Sequence, residues 1–480
     1  MATVVSAPGK VLIAGGYVVL ERPNAGLVVA VDARVQSSVE TVEDGGTAES
    51  VDVRLESPQY GYAAEYRFTP GSVPVLEQTD EEQKPNAFVE SVLKHTLAVV
   101  HARALGAFAA ARKLRVIVQG NNNFYSQRDQ LERLGKEVTS TTLAELPPFL
   151  PFLDPSDQAK TGLGSSAALV SSLVGALLHH FGLVRLAPLD RSSPAPAAGS
   201  QAEKDLAYVH NLSQITHCLA QGKIGSGFDV ASGVYGSARY VRFSPTVIRS
   251  VLDGPGTTEE LLACVERASS ATDAWDQDIR PFTLPDGMSI VVGDVNSGAS
   301  TPSMVSRVLA WKRDHAGAAD TWTELCAGHE RVGALLLRLV DAWHADGAAF
   351  RGALEATCDA GEKAWDGEES GDATRKLLCD IRSSYLALRA LVRRVGAEAD
   401  VPIEPATLTP VLDRTMQVPG VLMAGCPGAG GEDAIFAIVL RPSAALEVEH
   451  VWRTESANMC ALDVHAESSG HGIGLVGGGE

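Results

Sequence analysis

The chain has 480 residues, 45% hydrophobic and 21% charged, with a formal net charge of −19 at pH 7. That length supports two or three domains with substantial cores, and the acidic balance argues against nucleic acid or an anionic membrane as partner. Seven cysteines stand singly with no Cys-x-x-Cys pair, which speaks against a disulfide framework or zinc site and for a reducing, cytoplasmic setting.

No apolar run reaches transmembrane length. The first ten residues lack a basic region followed by a signal core and read as the first strand. Residues 11–14, 27–31 and 35–42 read as strands, with turns at Gly15-Gly16 and Asp44-Gly45-Gly46. Lys10 follows the Pro8-Gly9 turn at the head of an apolar strand, where its ammonium can serve a cleft as a point charge. Residues 86–105 have helical spacing (Phe88, Val92, Leu93, Leu97, Val100), 114–118 a short strand. Residues 120–160 are polar and Pro-rich, a long loop of the kind that forms lids.

The next segment, Lys160-Thr161-Gly162-Leu163-Gly164-Ser165-Ser166-Ala167-Ala168, is a glycine-rich turn with two hydroxyls that opens a helix. Leu169, Leu173, Ala176, Leu177 and Phe181 recur at helical spacing, and Gly182 is a natural stop. Glycines let a ligand approach the main chain, and the first N–H groups of a helix are unpaired at the positive end of its dipole, so the turn predicts a phosphate cradle. No Gly-Lys-Ser/Thr closes it, which excludes a Walker loop, and the third glycine of a dinucleotide fingerprint is missing.

Residues 187–200 form a Pro/Ala/Ser linker. A helix over 203–220 leads into Lys223-Ile224-Gly225-Ser226-Gly227-Phe228-Asp229, and a strand over 240–243 closes the first domain. A polar stretch near 250–280 carries the boundary, giving domains 1–250 and 251–480. The second opens with a strand over 288–294, continues with helices near 301–315, 320–345, 348–365 and 373–396, and ends with strands over 421–424 and 434–440, an α+β order. Between these last strands lies Cys426-Pro427-Gly428-Ala429-Gly430-Gly431-Glu432-Asp433, with more glycine than a hairpin needs; it reads as a backbone nest facing a ligand or the first loop. His179-His180 and the His210/His217 pair, lacking a third convergent ligand, read as structural. Asp366-Gly367-Glu368-Glu369 reads as a solvated patch and Arg393-Arg394 as a helix end.

Three blocks, around Lys10, Gly162–Ser166 and Gly428–Gly431, resemble motifs 1, 2 and 3 of the GHMP kinase superfamily in that order and across nearly the whole chain. Gly15-Gly16-Tyr17, where mevalonate kinases and galactokinases usually read Gly-Glu-His, resembles the phosphomevalonate kinase family, as do Lys160-Thr161, Cys426–Gly431 and the segment Asp294–Thr301 followed by Trp311-Lys312. Two features depart from the pattern: the loop lacks a close preceding proline, and Glu432 is more acidic than expected and has to point away.

The resemblance implies an N-terminal domain like ribosomal protein S5 domain 2, a C-terminal ferredoxin-like domain, and ATP with Mg²⁺ converting 5-phosphomevalonate to its diphosphate. It implies Lys10 as the central cation and Asp229 as a residue that orients or accepts a proton. Lys160, Gly162, Leu163, Gly164, Ser165, Ser166 and Ala167 would hold ATP, with Ser165 or Ser166 near Mg²⁺ and Asn86 near adenine or ribose. Tyr17, Lys223, Ser226, Ser300, Thr301, Lys312 and Gly430 would contact the acceptor with Lys10. No obligate protein partner is evident. Mevalonate kinase, diphosphomevalonate decarboxylase, another small-molecule kinase of the superfamily, and an inactive sensor stand as alternatives.

Overall fold

In the computed structural model, the described residues are 2–44, 49–80, 84–154, 158–189, 196–267, 274–295, 301–361, 365, 371–456, 459–467 and 470–477. Parts of four expectations lie outside them: the turn at 45–46, the middle of the 187–200 linker, the segment 296–300 that includes Ser300, and the acidic patch 366–369.

The strands are β1 (Thr3–Ala14), β2 (Ala25–Asp44), β3 (Val51–Ser57), β4 (Tyr62–Thr69), β5 (Val75–Gln78), β6 (Ala111–Gly120), β7 (Ala238–Val241), β8 (Asp278–Pro281), β9 (Ser289–Asp294), β10 (Val421–Gly425), β11 (Ala434–Val439), β12 (Cys460–Ala461) and β13 (Gly474–Leu475). They form two sheets. The nine-stranded sheet runs β13-β1-β2-β6-β3-β4-β5, with β7 on β2 and β8 on β7; the four-stranded sheet runs β10-β11-β9-β12. Among the described strands, β3 and β6 alone pair in parallel.

Two strands expected at 27–31 and 35–42 are one. Asp32 and Arg34 interrupt the apolar alternation, but Asp32 accepts from the His465 main-chain N–H (2.8 Å) and Arg34 Nε donates to Ser6 (2.8 Å), so the strand runs through. Its first part pairs with β7 and its second with β6, so β2 spans the sheet. The long loop predicted over 120–160 contains the short helices Arg128–Arg133 and Ser140–Ala144.

The Ser165–His180 helix packs on β1 and β2 and is flanked by the helices Ala87–Arg103, Gln201–Gln221 and Phe228–Tyr235. Its buried positions include Ala167, Val170, Leu173, Val174, Leu177 and Leu178, so it is apolar nearly all round, as a central helix has to be. Gly233 lets the Phe228–Tyr235 helix close against Ser171, whose hydroxyl lies 2.9 Å from where a Cβ would stand. In the second sheet the period-2 pattern of β11 is legible in packing. Ile435, Ala437 and Val439 join the cluster around Trp452, while Phe436 and Ile438 face the larger core shared with the first sheet.

Sheet membership does not follow a division at residue 250. β8 and β13 come from beyond it yet belong to the nine-stranded sheet, because β13 adds to the edge of β1 through Val5 and Ser6. No described helix is long and apolar enough to cross a membrane.

Candidate active site

Lys10 reaches the glycine-rich loop because β1 is bulged. The β1–β2 register shifts between Pro8 and Gly9, and bulges re-aim side chains. A Cβ on Gly9 would stand 3.0 Å from the Leu163 carbonyl, so glycine permits the approach. Lys10 N–H then donates to that carbonyl (2.8 Å), and Lys10 Nζ donates to the Gly162 carbonyl (2.7 Å). Gly164 has φ +79°, and a Cβ there would stand 2.7 Å from Lys10 Cε. The lysine stem therefore lies in the space that glycine leaves empty.

Gly164 is also the N-cap of the Ser165–His180 helix, and no side chain caps it. The Phe228–Tyr235 helix begins the same way, from Gly227 at φ +82° with no side-chain cap. A Cβ on Gly227 would collide with Gln214 Oε1 (2.7 Å) and the Tyr240 hydroxyl (2.8 Å), so that turn too is built for glycine. Gln214 Nε2 donates to the Gly227 carbonyl (2.7 Å) and the Tyr240 hydroxyl to the Ser226 carbonyl (2.9 Å). Asp229 sits in the first turn of this helix, and its Oδ1 accepts its neighbour Val230's N–H (3.0 Å).

The third block closes the other side. Gly428 N–H donates to the Leu12 carbonyl (3.2 Å), and the Tyr17 hydroxyl donates to the Ala429 carbonyl (2.6 Å). Tyr17 holds φ +63°, and its turn is braced from behind by His329, whose Nδ1 accepts the Gly15 N–H (2.9 Å). A Cβ on Gly430 would overlap the Ile403 carbonyl, which also accepts the Gly431 N–H (3.0 Å). Ile403 is anchored in turn by a buried pair, Arg389 and Glu404 (2.7 Å; side chains 4% and 2% exposed). Arg393 joins it at 3.0 Å, so Arg393 is not a helix-end residue: the helix continues to Ala399. Burial pushes the Glu404 carboxyl up, but the bonds from Arg389 and Arg393 outweigh it and hold it below the ordinary range. Glu432 accepts from the Thr407 hydroxyl (2.9 Å) and does not line the cleft.

Together these elements line a cleft of about 1270 Å³. Lys10, Tyr17, Lys160 and Gly162 through Ser166 all reach it, as do Lys223, Ser226, Asp229 and Gly430. Ala167, Asn86 and Lys312, also predicted for the site, are not among these lining residues. Ala167 is buried behind the loop. Asn86 caps the Ala87–Arg103 helix, accepting from Phe88 N–H (3.1 Å) and Val89 N–H (3.4 Å). Lys312 lies 4.3 Å over the Trp322 ring with its ammonium bonded to Glu21, and it is Glu21 that lines the cleft. Thr301 opens the Thr301–Asp314 helix, whose Val305, Ser306 and Leu309 form one wall.

Sequence reasoning missed Asp433, Arg242, Glu21 and His217, which also line the cleft. His217, expected to be structural, lines the cleft. Its Nε2 lies 3.3 Å from the Ser166 hydroxyl and 3.3 Å from Gln221 Nε2, with its ring against Phe88 (5.3 Å).

Electrostatically the cleft is a balance. Burial lowers the Lys10 pKa, while the Asp229 and Asp433 carboxylates push it back toward the charged form. Burial likewise lowers His217, opposed by Asp229 and reinforced by Lys223. Two uncapped helix N-termini and the half-buried Lys10 line the cleft with the hydroxyls of Ser165 and Ser166, an arrangement suited to a polyphosphate.

The chain is 36% identical to the peroxisomal phosphomevalonate kinase of Arabidopsis thaliana, over 100% of this chain and 97% of that one. The chain belongs to the phosphomevalonate kinase family. The Gibberella zeae member is 33% identical over 90% of this chain and 86% of its own. The fold is that of the GHMP kinases: the Streptococcus pneumoniae phosphomevalonate kinase solved with phosphomevalonate and AMPPNP superposes with a TM-score of 0.56 at 16% identity, covering 97% of this chain and 99% of that one. No protein-family model matches the chain.

Proposed function

We propose that this chain transfers the γ-phosphoryl group of ATP to the phosphate of (R)-5-phosphomevalonate, releasing ADP and 5-diphosphomevalonate for isoprenoid and sterol synthesis. The observation that carries the reading is Lys10: a half-buried lysine whose ammonium is bonded to the Gly162 carbonyl, under the influence of Asp229 and Asp433, at the mouth of an uncapped helix. Family membership supplies the substrate.

The acceptor is a phosphate monoester with a second pKa of about 6, mostly dianionic near neutrality. It needs little help from a base. The obstacle is bringing two polyanions together, so positioning and charge neutralisation dominate. The amides from Gly162 to Ser166 bind the donor phosphates, and Lys10 lies between donor and acceptor oxygens. Asp229 orients Lys10 and accepts a proton when the acceptor arrives as a monoanion.

Mg²⁺ fits the site. The donors nearest the loop are hard oxygens, Ser165, Ser166 and Asp433, and no described cluster of three or more His, Cys, Asp or Glu competes as a protein-only metal cage. That suits an ion held by one or two protein oxygens plus substrate phosphates. When bound, Mg²⁺ neutralises charge on the β- and γ-phosphate oxygens.

We further read the chain as two lobes that meet at the cleft, one like ribosomal protein S5 domain 2 and one ferredoxin-like, with the change of sheet between Pro281 and Ser289. Cytoplasmic residence belongs to the same proposal: none of the seven cysteines is joined in a disulfide, yet the Arabidopsis relative bears a peroxisomal name, so imaging a tagged chain separates the two compartments. A coupled assay of ADP release offers 5-phosphomevalonate and mevalonate in parallel. Turnover of the first alone is expected; turnover of mevalonate alone, or of neither, overturns the assignment.

A further inference from the structure

Arg242 follows β7, lines the cleft, and is 9% exposed. Its Nη1 donates to the Leu20 carbonyl (2.6 Å) and its Nη2 to the Ile224 carbonyl (3.1 Å), while Nε meets no partner. Its own carbonyl accepts from Arg22. No carboxylate among the described residues forms an ion pair with it; Glu21, which acts on it electrostatically, is bonded to Lys312. Two carbonyls use two of the five guanidinium N–H groups, and neither requires a full positive charge. A buried, unpaired cation costs several kcal/mol, and such a cost is met where an anion arrives.

The electrostatic neighbours of Arg242 separate it from the reacting cation. Lys10 is acted on by Asp229 and Asp433, whereas Arg242 is acted on by Tyr240, Cys218 and Glu21. Lys10 Nζ is bonded to the Gly162 loop, whereas Arg242 is bonded at the Leu20–Ile224 junction. The acceptor proposed above carries two anionic ends, the phosphate that reacts and a carboxylate at the other end of a short chain. A planar guanidinium fork matches a carboxylate in shape as well as charge.

We infer that Arg242 binds the carboxylate of the acceptor and so fixes which molecules present their phosphate to Lys10. This rests on the phosphomevalonate reading of the cleft. The test crosses a protein edit with a ligand edit: wild type, Arg242→Gln and Arg242→Lys are each assayed with 5-phosphomevalonate and with its neutral C1 carboxamide. Wild type is expected to favour the acid over the amide by at least about 10-fold in kcat/KM, the worth of a charge-assisted pair. Arg242→Gln should bring that ratio near one with the KM for ATP within about threefold, and Arg242→Lys, which keeps the charge without the fork, should fall between.

Equal losses for acid and amide would make Arg242 a strut between Leu20 and Ile224 and overturn the inference, as would an unchanged ratio. Should Arg242→Gln fail to fold, the lysine variant carries the comparison. Absence of wild-type turnover with 5-phosphomevalonate would instead overturn the functional reading, and the two failures are told apart by that control.

Discussion

Replacing Gly164 by alanine isolates the contact between the loop and Lys10. The residue has φ +79°, where an L side chain costs about 1–2 kcal/mol. The new Cβ would also stand 2.7 Å from Lys10 Cε and 3.1 Å from Cγ, so the lysine stem has to move and its bond to the Gly162 carbonyl is lost. Gly162 is a matched control, with φ +71° but only ordinary contacts for a Cβ, 3.4 Å to Ala434 and 3.6 Å to Asp433. Both variants should lose similar stability, about 1–2 kcal/mol by denaturant melting. Misplacing a reacting group by about 1 Å costs about 100-fold in rate, so Gly164→Ala should lose about 100-fold in kcat and Gly162→Ala far less. In a Lys10→Met background the extra penalty of Gly164→Ala should vanish, since both edits remove one interaction. Equal activity of the two alanine variants, or additive effects with Lys10→Met, would refute the role of this contact.

Lys10→Met alone should lower kcat by about 10²–10³-fold while ATP affinity, measured by calorimetry, changes only a few-fold; unchanged turnover would remove Lys10 from the chemistry. Asp229→Asn should slow turnover, and its pH profile assigns the role: an even loss means orientation, a loss concentrated below about pH 6, where the acceptor becomes monoanionic, means proton acceptance. Glu404→Gln leaves Arg389 without its buried counter-charge and should cost about 3–5 kcal/mol in chemical denaturation; a loss below about 1 kcal/mol would show that the pair does not anchor Ile403. Burial lowers His95, His210 and His329 each to about 4. Their folded-state values lie below the unfolded value of about 6.5, so the unfolded chain binds more protons between those limits and stability falls as pH drops from about 6.5 toward 4, by up to about 4 kcal/mol per unit for the three together. Denaturant melts at pH 7, 6 and 5 check this, and a flat profile would contradict it.

The features legible along the chain are local in origin. Gly162, Gly164 and Gly227 all adopt positive φ at turns that open helices, and this follows from their lack of a Cβ and from the apolar spacing downstream, both readable in a short window. The glycine-rich turns at Gly162–Ser166 and Gly225–Gly227 therefore marked the Ser165–Ser166 loop and the helix start that carries Asp229, while the roles of Lys10 and Asp229 came from the family resemblance. Asn86 and Lys312 looked equally functional in their windows. Only the folded chain assigned Asn86 to a helix cap and Lys312 to Glu21, 291 positions away. His217, Asp433 and Arg242 were silent because each acquires meaning from a partner remote in sequence: Ser166 for the first, Lys10 for the second, the carbonyls of Leu20 and Ile224 for the third. Backbone conformation is set by each residue and its neighbours. Burial of charge, and the counter-charge it meets, exist only once distant segments pack together, so tertiary structure alone decided which polar side chains share the cleft.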